Sequence, residues 1–172
     1  VFSAPFSSVM PAPGGGREAV VAWWNAEVGA KMNVKLAMKA YDTRFDAAQT
    51  ASLWPGVLAE KPLVGLGVGG PDLAALQQRL PNDKVVIFSP SASNGFAWRP
   101  NQWYLSLRPT FVHEIVGFID WYQKNKGGGK PVKMALVTSE ASPSYADIAK
   151  GVAAYAKANP GTVELVETVF AE

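Results

Sequence analysis

Two short stretches and one residue pair carry side chains or backbone whose type and spacing could do chemistry. The first, PLVGLGVGGPDLAAL from Pro62 to Leu76, sets Gly65-x-Gly67-x-x-Gly70 between an apolar run and a helix-like segment. A dinucleotide site on that spacing needs a tight strand-to-helix turn, open helix N-terminal amides, and an acidic side chain about 20 residues on for the ribose. The next strand ends Phe88-Ser89-Pro90 without a carboxylate, and Pro71 removes one amide donor. The same amides and the helix dipole suit a smaller anion such as a carboxylate equally well. A plain tight turn, with glycine relieving backbone strain, is the third reading.

The second stretch is Ser89-Pro90-Ser91-Ala92-Ser93-Asn94-Gly95, directly after the apolar run Val85 to Phe88. Open α/β sheets place ligands at the carboxyl ends of their strands, and hydroxyls there can donate to a bound solute. A Ser- and Asn-rich turn without a ligand is the alternative. No Gly-x-Ser-x-Gly elbow surrounds these serines, so a nucleophilic role lacks its usual strained turn. The residue pair is His113-Glu114, where the single histidine stands near a helix start without partners at metal or triad spacing. Asp42, Arg44 and Asp46 read as a solvated, capped loop. No catalytic residue, metal ligand or cofactor is expected from these patterns.

The elements that must position these loops alternate between short apolar runs and helix-length amphipathic segments, which argues for βα units around a parallel sheet. The pattern predicts strands at 1–5, 34–41, 63–67, 84–88, 103–107, 132–138 and 163–170. Helices are predicted over 17–28, 47–59, 72–80, 110–124 and 145–158. Val85 to Phe88 reads as a central strand covered on both faces. Val34 to Tyr41, with Lys35 and Lys39 on one face, reads as an edge strand. Gly14 to Gly16 should precede the first helix, and Pro81-Asn82-Asp83 should stop the third. Asp46 and Thr110 are candidate N-caps. Trp23, Trp24, Phe111, Ile115, Phe118, Ile119 and Tyr122 fall at spacings that suit packing against the sheet.

Composition narrows the partners. The 172 residues include 48% hydrophobic side chains, enough for a core, and carry a formal charge of only +2. That balance lacks the basic stripe that nucleic-acid binding requires. Without cysteine there is no disulfide, thiolate metal site or thiol nucleophile, and the redox compartment stays open. No apolar stretch reaches the roughly 18 residues of a membrane span. Val1 begins on an apolar run without a charged leader, so any signal peptide is expected to be absent from this stretch of chain.

Taken in order, "GREAVVAWWNAEVG", "AMKAYDTRFDAAQT", "LVGLGVGG", "VVIFSPSASN", "WYLSLRPTFVHEIVGFIDWY" and "KMALVTSEASPSYADIAKGVAAY" resemble the amino-terminal half of a type I periplasmic solute-binding protein of the branched-chain amino acid and amide type. The resemblance implies a three-layer, doubly wound α/β sheet of strand order 2-1-3-4-5, followed by the start of a second similar lobe. It implies a first ligand-binding lobe over 1–109 and a partial second lobe over 110–172, within a protein about twice as long. The loops after Pro5 and Val68 would face the ligand.

Carried over by position, the resemblance assigns ligand contacts to Ser7, Ser8, Gly69, Gly70, Ser91, Ala92 and Ser93 in the first lobe. In the second it assigns Ser142 and Tyr145. Position 69–70 lacks the hydroxyl often found there. The implied function is non-enzymatic: capture of an amino acid, amide or small carboxylate between the lobes for the membrane permease of an ABC transporter. The implied location is the periplasm or the cell exterior, with a lipid anchor as one form of attachment. Two alternatives stay open. One is a ligand-sensing regulatory domain of the same fold, and the other is a nucleotide-dependent or hydrolytic enzyme using Gly65 to Gly70 or Ser91 with His113.

Overall fold

The apolar runs pair side by side in the computed structural model, which describes residues 2–4, 12–67, 69–90, 93 and 100–171. Strands β1 (Phe2–Ala4), β2 (Ala40–Asp42), β3 (Val64–Leu66), β4 (Val86–Ser89) and β5 (Tyr104–Ser106) form one sheet in the order β2-β1-β3-β4-β5. Every pairing in it is parallel. The chain steps from β1 to β2 on one side and then returns to β3 on the other, so the sheet is doubly wound with its switch point between β1 and β3. A second sheet pairs β6 (Val132–Thr138) with β7 (Val163–Phe170), also in parallel.

The helices follow as α1 (Ala12–Trp24), α2 (Ala30–Met32), α3 (Ala47–Ala59), α4 (Gly70–Leu76), α5 (Leu80–Asp83), α6 (Phe111–Asn125) and α7 (Pro143–Ala158). A π-helical segment, Asn25–Gly29, joins α1 to α2. Asp46 and Thr110 cap α3 and α6 by accepting from the Gln49 and His113 amides.

The core of the five-stranded unit joins Trp54 and Val57 of α3 to Leu73 and Leu76 of α4, with Leu80, Val85, Ile87 and Tyr104 beneath them. Each such apolar side chain contributes roughly 1.5–3 kcal/mol by leaving water. The Trp54 indole donates to Asp83 Oδ2 at 2.7 Å, so its one polar atom is satisfied as the ring is buried. A Cβ on Gly65 of β3 would fall on Ile87 Cδ1 of β4, so the absence of a side chain there leaves room for the Ile87 tip.

Several expectations are corrected. Only Ala40 and Tyr41 of the 34–41 run join the sheet, in the strand Ala40–Asp42, because the Asn25 side chain brackets the Leu36 backbone, accepting from its amide at 2.8 Å and donating to its carbonyl at 3.0 Å. Those groups are thereby withdrawn from any ladder. Helix α1 begins at Ala12 and runs through Gly14 to Gly16 instead of following them. Pro13 is tolerated there because first-turn amides have no helical partner. Pro81-Asn82-Asp83 forms the body of α5, with Pro81 again in a first turn. In β4, Ile87 is buried but Val86 and Phe88 are only half-buried, so the second face is incompletely covered.

Trp23, Phe118 and Tyr122 are exposed and do not pack on a sheet. Helix α6 lies against α7, burying Val112 and Ile119, and its opposite side stacks Phe118 on Trp121 at 5.8 Å. The predicted contacts Ser7, Ser8, Ser91 and Ala92 lie outside the described residues, as do Pro5 and Val68.

Candidate functional site

Loops at the carboxyl ends of the parallel strands converge where the five-stranded unit meets the N-terminal turn of α7. Strand β3 delivers Gly67 and then Gly69-Gly70, and β4 delivers Ser89 and then Ser93. From the other side, β6 ends at Thr138, whose hydroxyl donates to the Tyr145 carbonyl at 2.9 Å. The first turn of α7 thus sits over the end of its own strand. Ser142 caps that helix, accepting from the Ser144 amide.

Gly70 and Ser93 both make contact across the seam. A Cβ on Gly70 would strike Ser142 Oγ and stand 2.7 Å from Ser144 Oγ and 3.2 Å from the Ser144 amide. Glycine at 70 therefore lets the starts of α4 and α7 meet. The second contact is a hydrogen bond from Ser93 Oγ to Asp147 Oδ2 of α7 at 2.7 Å. Ser93, Ser142 and Ser144 are all buried in this junction.

Beneath the seam lies a buried polar network. Asp72 accepts from the Gly69 amide at 3.4 Å and lies 3.0 Å from the Thr50 hydroxyl, whose one proton it shares with the Asp46 carbonyl at 2.8 Å. The Gly69 amide expected to face a solute is thus directed to the helix's own carboxylate, a correction that follows from Asp72 standing at the third position of α4. Arg17 of α1 donates to the Gly67 carbonyl at 3.0 Å. Burial lowers its pKa, and the attraction of Asp72 opposes that shift. The Tyr104 hydroxyl is held neutral to higher pH by burial; its hydrogen bond with Ser89 works against this, and the Asp72 charge adds to it.

A charged pair spans the link between the units. Arg108, just after β5, forms a two-pronged pair with Glu114 of α6, Nε to Oε1 at 2.7 Å and Nη2 to Oε2 at 2.5 Å. Its guanidinium also lies over the Phe111 ring at 5.2 Å, and Phe111 meets the Tyr145 ring at 6.2 Å. His113 bonds Thr110 across the first turn of α6, its Nδ1 2.6 Å from Thr110 Oγ1. That places the histidine in a capping arrangement.

Of the residues expected at a ligand site, the structure brings Gly69, Gly70, Ser93, Ser142 and Tyr145 to this one junction. Phe45, Ser144 and Asp147 were missed. Phe45 follows β2 with φ 57°, and its ring lies where a Cβ on Gly69 would come within 2.7 Å. Only the aromatic between Arg44 and Asp46 hinted at it, and a left-handed backbone at phenylalanine has no sequence signature. Asp147 sits within a predicted helix, where no motif singled it out. Among the described residues no cluster of His, Cys, Asp and Glu could hold a metal ion, and no helix is long and apolar enough to cross a membrane.

Comparison with known proteins accords with this architecture. An ABC transporter substrate-binding protein from Desulfitobacterium hafniense superposes with a TM-score of 0.78 at 15% identity, over 99% of this chain and 49% of its own. A branched-chain amino acid ABC transporter protein from Thermus thermophilus, with bound valine, gives 0.80 at 16% identity, over 99% and 44%. A solute-binding protein of an ABC transporter from Rhodopseudomonas palustris BisB5, in complex with 3,4-dihydroxybenzoic acid, gives 0.72 at 19% identity, over 98% and 46%. The chain thus spans less than half the length of each of these three structures. No curated protein matches the sequence. The family model described as "Periplasmic binding protein" matches residues 1–172. With its doubly wound sheet and the loops gathered at its strand ends, the chain belongs to the periplasmic binding protein family.

Proposed function

We propose that residues 1–109 form one lobe and residues 110–172 the beginning of a second lobe of a solute receptor, and that the seam between them is its cleft. The observation that carries this reading is the meeting of Gly70 and Ser93, from the ends of β3 and β4, with the first turns of α7, Gly70 against Ser142 and Ser144 and Ser93 on Asp147. Two opposed sets of hydroxyl groups and backbone amides, with aromatic rings of Phe45, Phe111 and Tyr145 nearby, suit a small solute with a polar head and an apolar body. The remaining proposed contacts are Ser7, Ser8, Ser91 and Ala92.

The solute class is a small carboxylic acid, amino acid or amide. The two structural neighbours above whose descriptions name a bound molecule hold valine and 3,4-dihydroxybenzoic acid, both of which carry a carboxylate. The receptor binds without catalysis. It works in the periplasm or outside the cell, tethered by a lipid or free, and delivers its solute to the permease of an ABC transporter.

A calorimetric screen of the full-length protein against amino acids, their amides and small aliphatic and aromatic carboxylates tests this. Saturable one-to-one binding in the panel is expected. The reading fails if no member produces heat, or if a member is chemically converted.

A further inference from the structure

The Ser93 hydroxyl belongs to the wall proposed to receive a solute, yet its proton is directed to a carboxylate of the protein itself. Asp147 Oδ2 lies 2.7 Å from Ser93 Oγ, across the seam and 54 residues away in sequence. Ser93 is only 3% exposed. A serine hydroxyl has one proton to give, so Ser93 cannot donate to Asp147 and to a solute carboxylate together. Beside it, Gly70 has no side chain, and the Ser142 and Ser144 hydroxyls occupy the space that one would need.

We propose that Asp147 and Gly70 form a latch that holds the lobes together before solute arrives, with the Asp147 carboxylate standing on Ser93 in place of a solute's acidic group. The two parts act differently. Asp147 supplies attraction, a hydrogen bond strengthened by its charge. Gly70 supplies clearance, because a side chain there would displace the Ser142 and Ser144 hydroxyls and press on the Ser144 amide. A solute that requires Ser93 must first break the Ser93 to Asp147 bond. The latched fraction therefore weakens its apparent affinity in proportion.

The latch rests on reading the seam as an interlobe cleft, and its test uses no solute, so it can fail or succeed whatever the screen for solutes returns. Spin labels are placed on the full-length protein at the exposed helical positions Ala48→Cys in α3 and Lys157→Cys in α7, and the interlobe distance is measured without added solute. The native sequence should give one dominant short distance. Asp147→Ala should transfer population to longer distances, changing the ratio of closed to open forms by at least about tenfold, the effect of losing a hydrogen bond to a charged group. Asp147→Asn, which keeps an acceptor but not the charge, should fall between. Gly70→Ala should open the lobes even with Ser93 and Asp147 intact. A native protein already open without solute, or Asp147→Ala and Gly70→Ala distributions that coincide with the native one, would overturn the latch.

Discussion

Ser93 Oγ and Asp147 Oδ2 lie 2.7 Å apart, although 54 residues of chain separate them and they belong to different units. The bond joins a loop at the end of β4 to the second turn of α7, so it acts between the units and not within either. In a double-mutant cycle of Ser93→Ala and Asp147→Ala, the two substitutions should couple by about 1.5 kcal/mol or more. Chemical denaturation of the single and double variants measures this. Strict additivity would mean that the bond contributes nothing to joining the units.

Gly70 sets how closely the units approach. Replacement by Val requires the Ser142 and Ser144 hydroxyls to swing away, and the Ser144 amide only 3.2 Å from the new Cβ gives little further room. Solute affinity of Gly70→Val should fall at least tenfold, roughly 1.4 kcal/mol, in calorimetry. Thermal stability should change less than affinity, because the contact lies between units and outside the core cluster.

Asp72 is the hub of the polar network beneath the seam. Asp72→Ala takes away the acceptor of the Gly69 amide, leaves the buried Thr50 hydroxyl with the Asp46 carbonyl alone, and removes the negative charge that favours ionised Arg17. Destabilisation of about 2–4 kcal/mol is expected from these losses together. Thr50→Ala, which removes one donor and leaves the carboxylate in place, should cost about 1 kcal/mol. Equal losses for the two variants in urea unfolding would contradict the central place given to Asp72.

Tyr104 links the network to alkaline pH. Burial raises its pKa in the folded state above the value of about 10 in the unfolded chain. The folded state therefore holds the proton more tightly, and the resulting stability is fully present below pH 10 and lost as pH climbs above it. Unfolding midpoints should drop above about pH 10 in the native protein. Tyr104→Phe should lower stability at neutral pH through the lost Ser89 hydrogen bond, while flattening that alkaline decline. A variant as sensitive to alkali as the native chain would place the titration elsewhere.

The strands, helices and loops at strand ends were legible because periodicity and turn residues are local signals, while the order of the sheet was legible only through the resemblance to the solute-binding family. The two long strands of the second sheet and helix α3 match their predicted ranges, and Asp46 and Thr110 cap as expected. What could not be read depended on distant partners. Asn25 takes the Leu36 backbone out of the sheet, and Phe118 lies on the side of α6 turned away from α7. The site divides in the same way. Gly70 and Ser93 stand at strand ends, where the fold itself points to ligands, whereas Asp147 matters only because α7 turns it onto Ser93. The glycine spacing that first suggested a nucleotide has two unrelated packing causes, Gly65 against Ile87 and Gly70 against Ser142 and Ser144.

The most direct test of the central claim is a crystal structure of the full-length protein with a solute identified by calorimetry. The account predicts density for that solute in the seam, within hydrogen-bond reach of Ser93 Oγ and bounded by Gly70 and Tyr145, with Asp147 displaced from the serine. Density bound elsewhere, with Ser93 still donating to Asp147 and the seam closed, would contradict it.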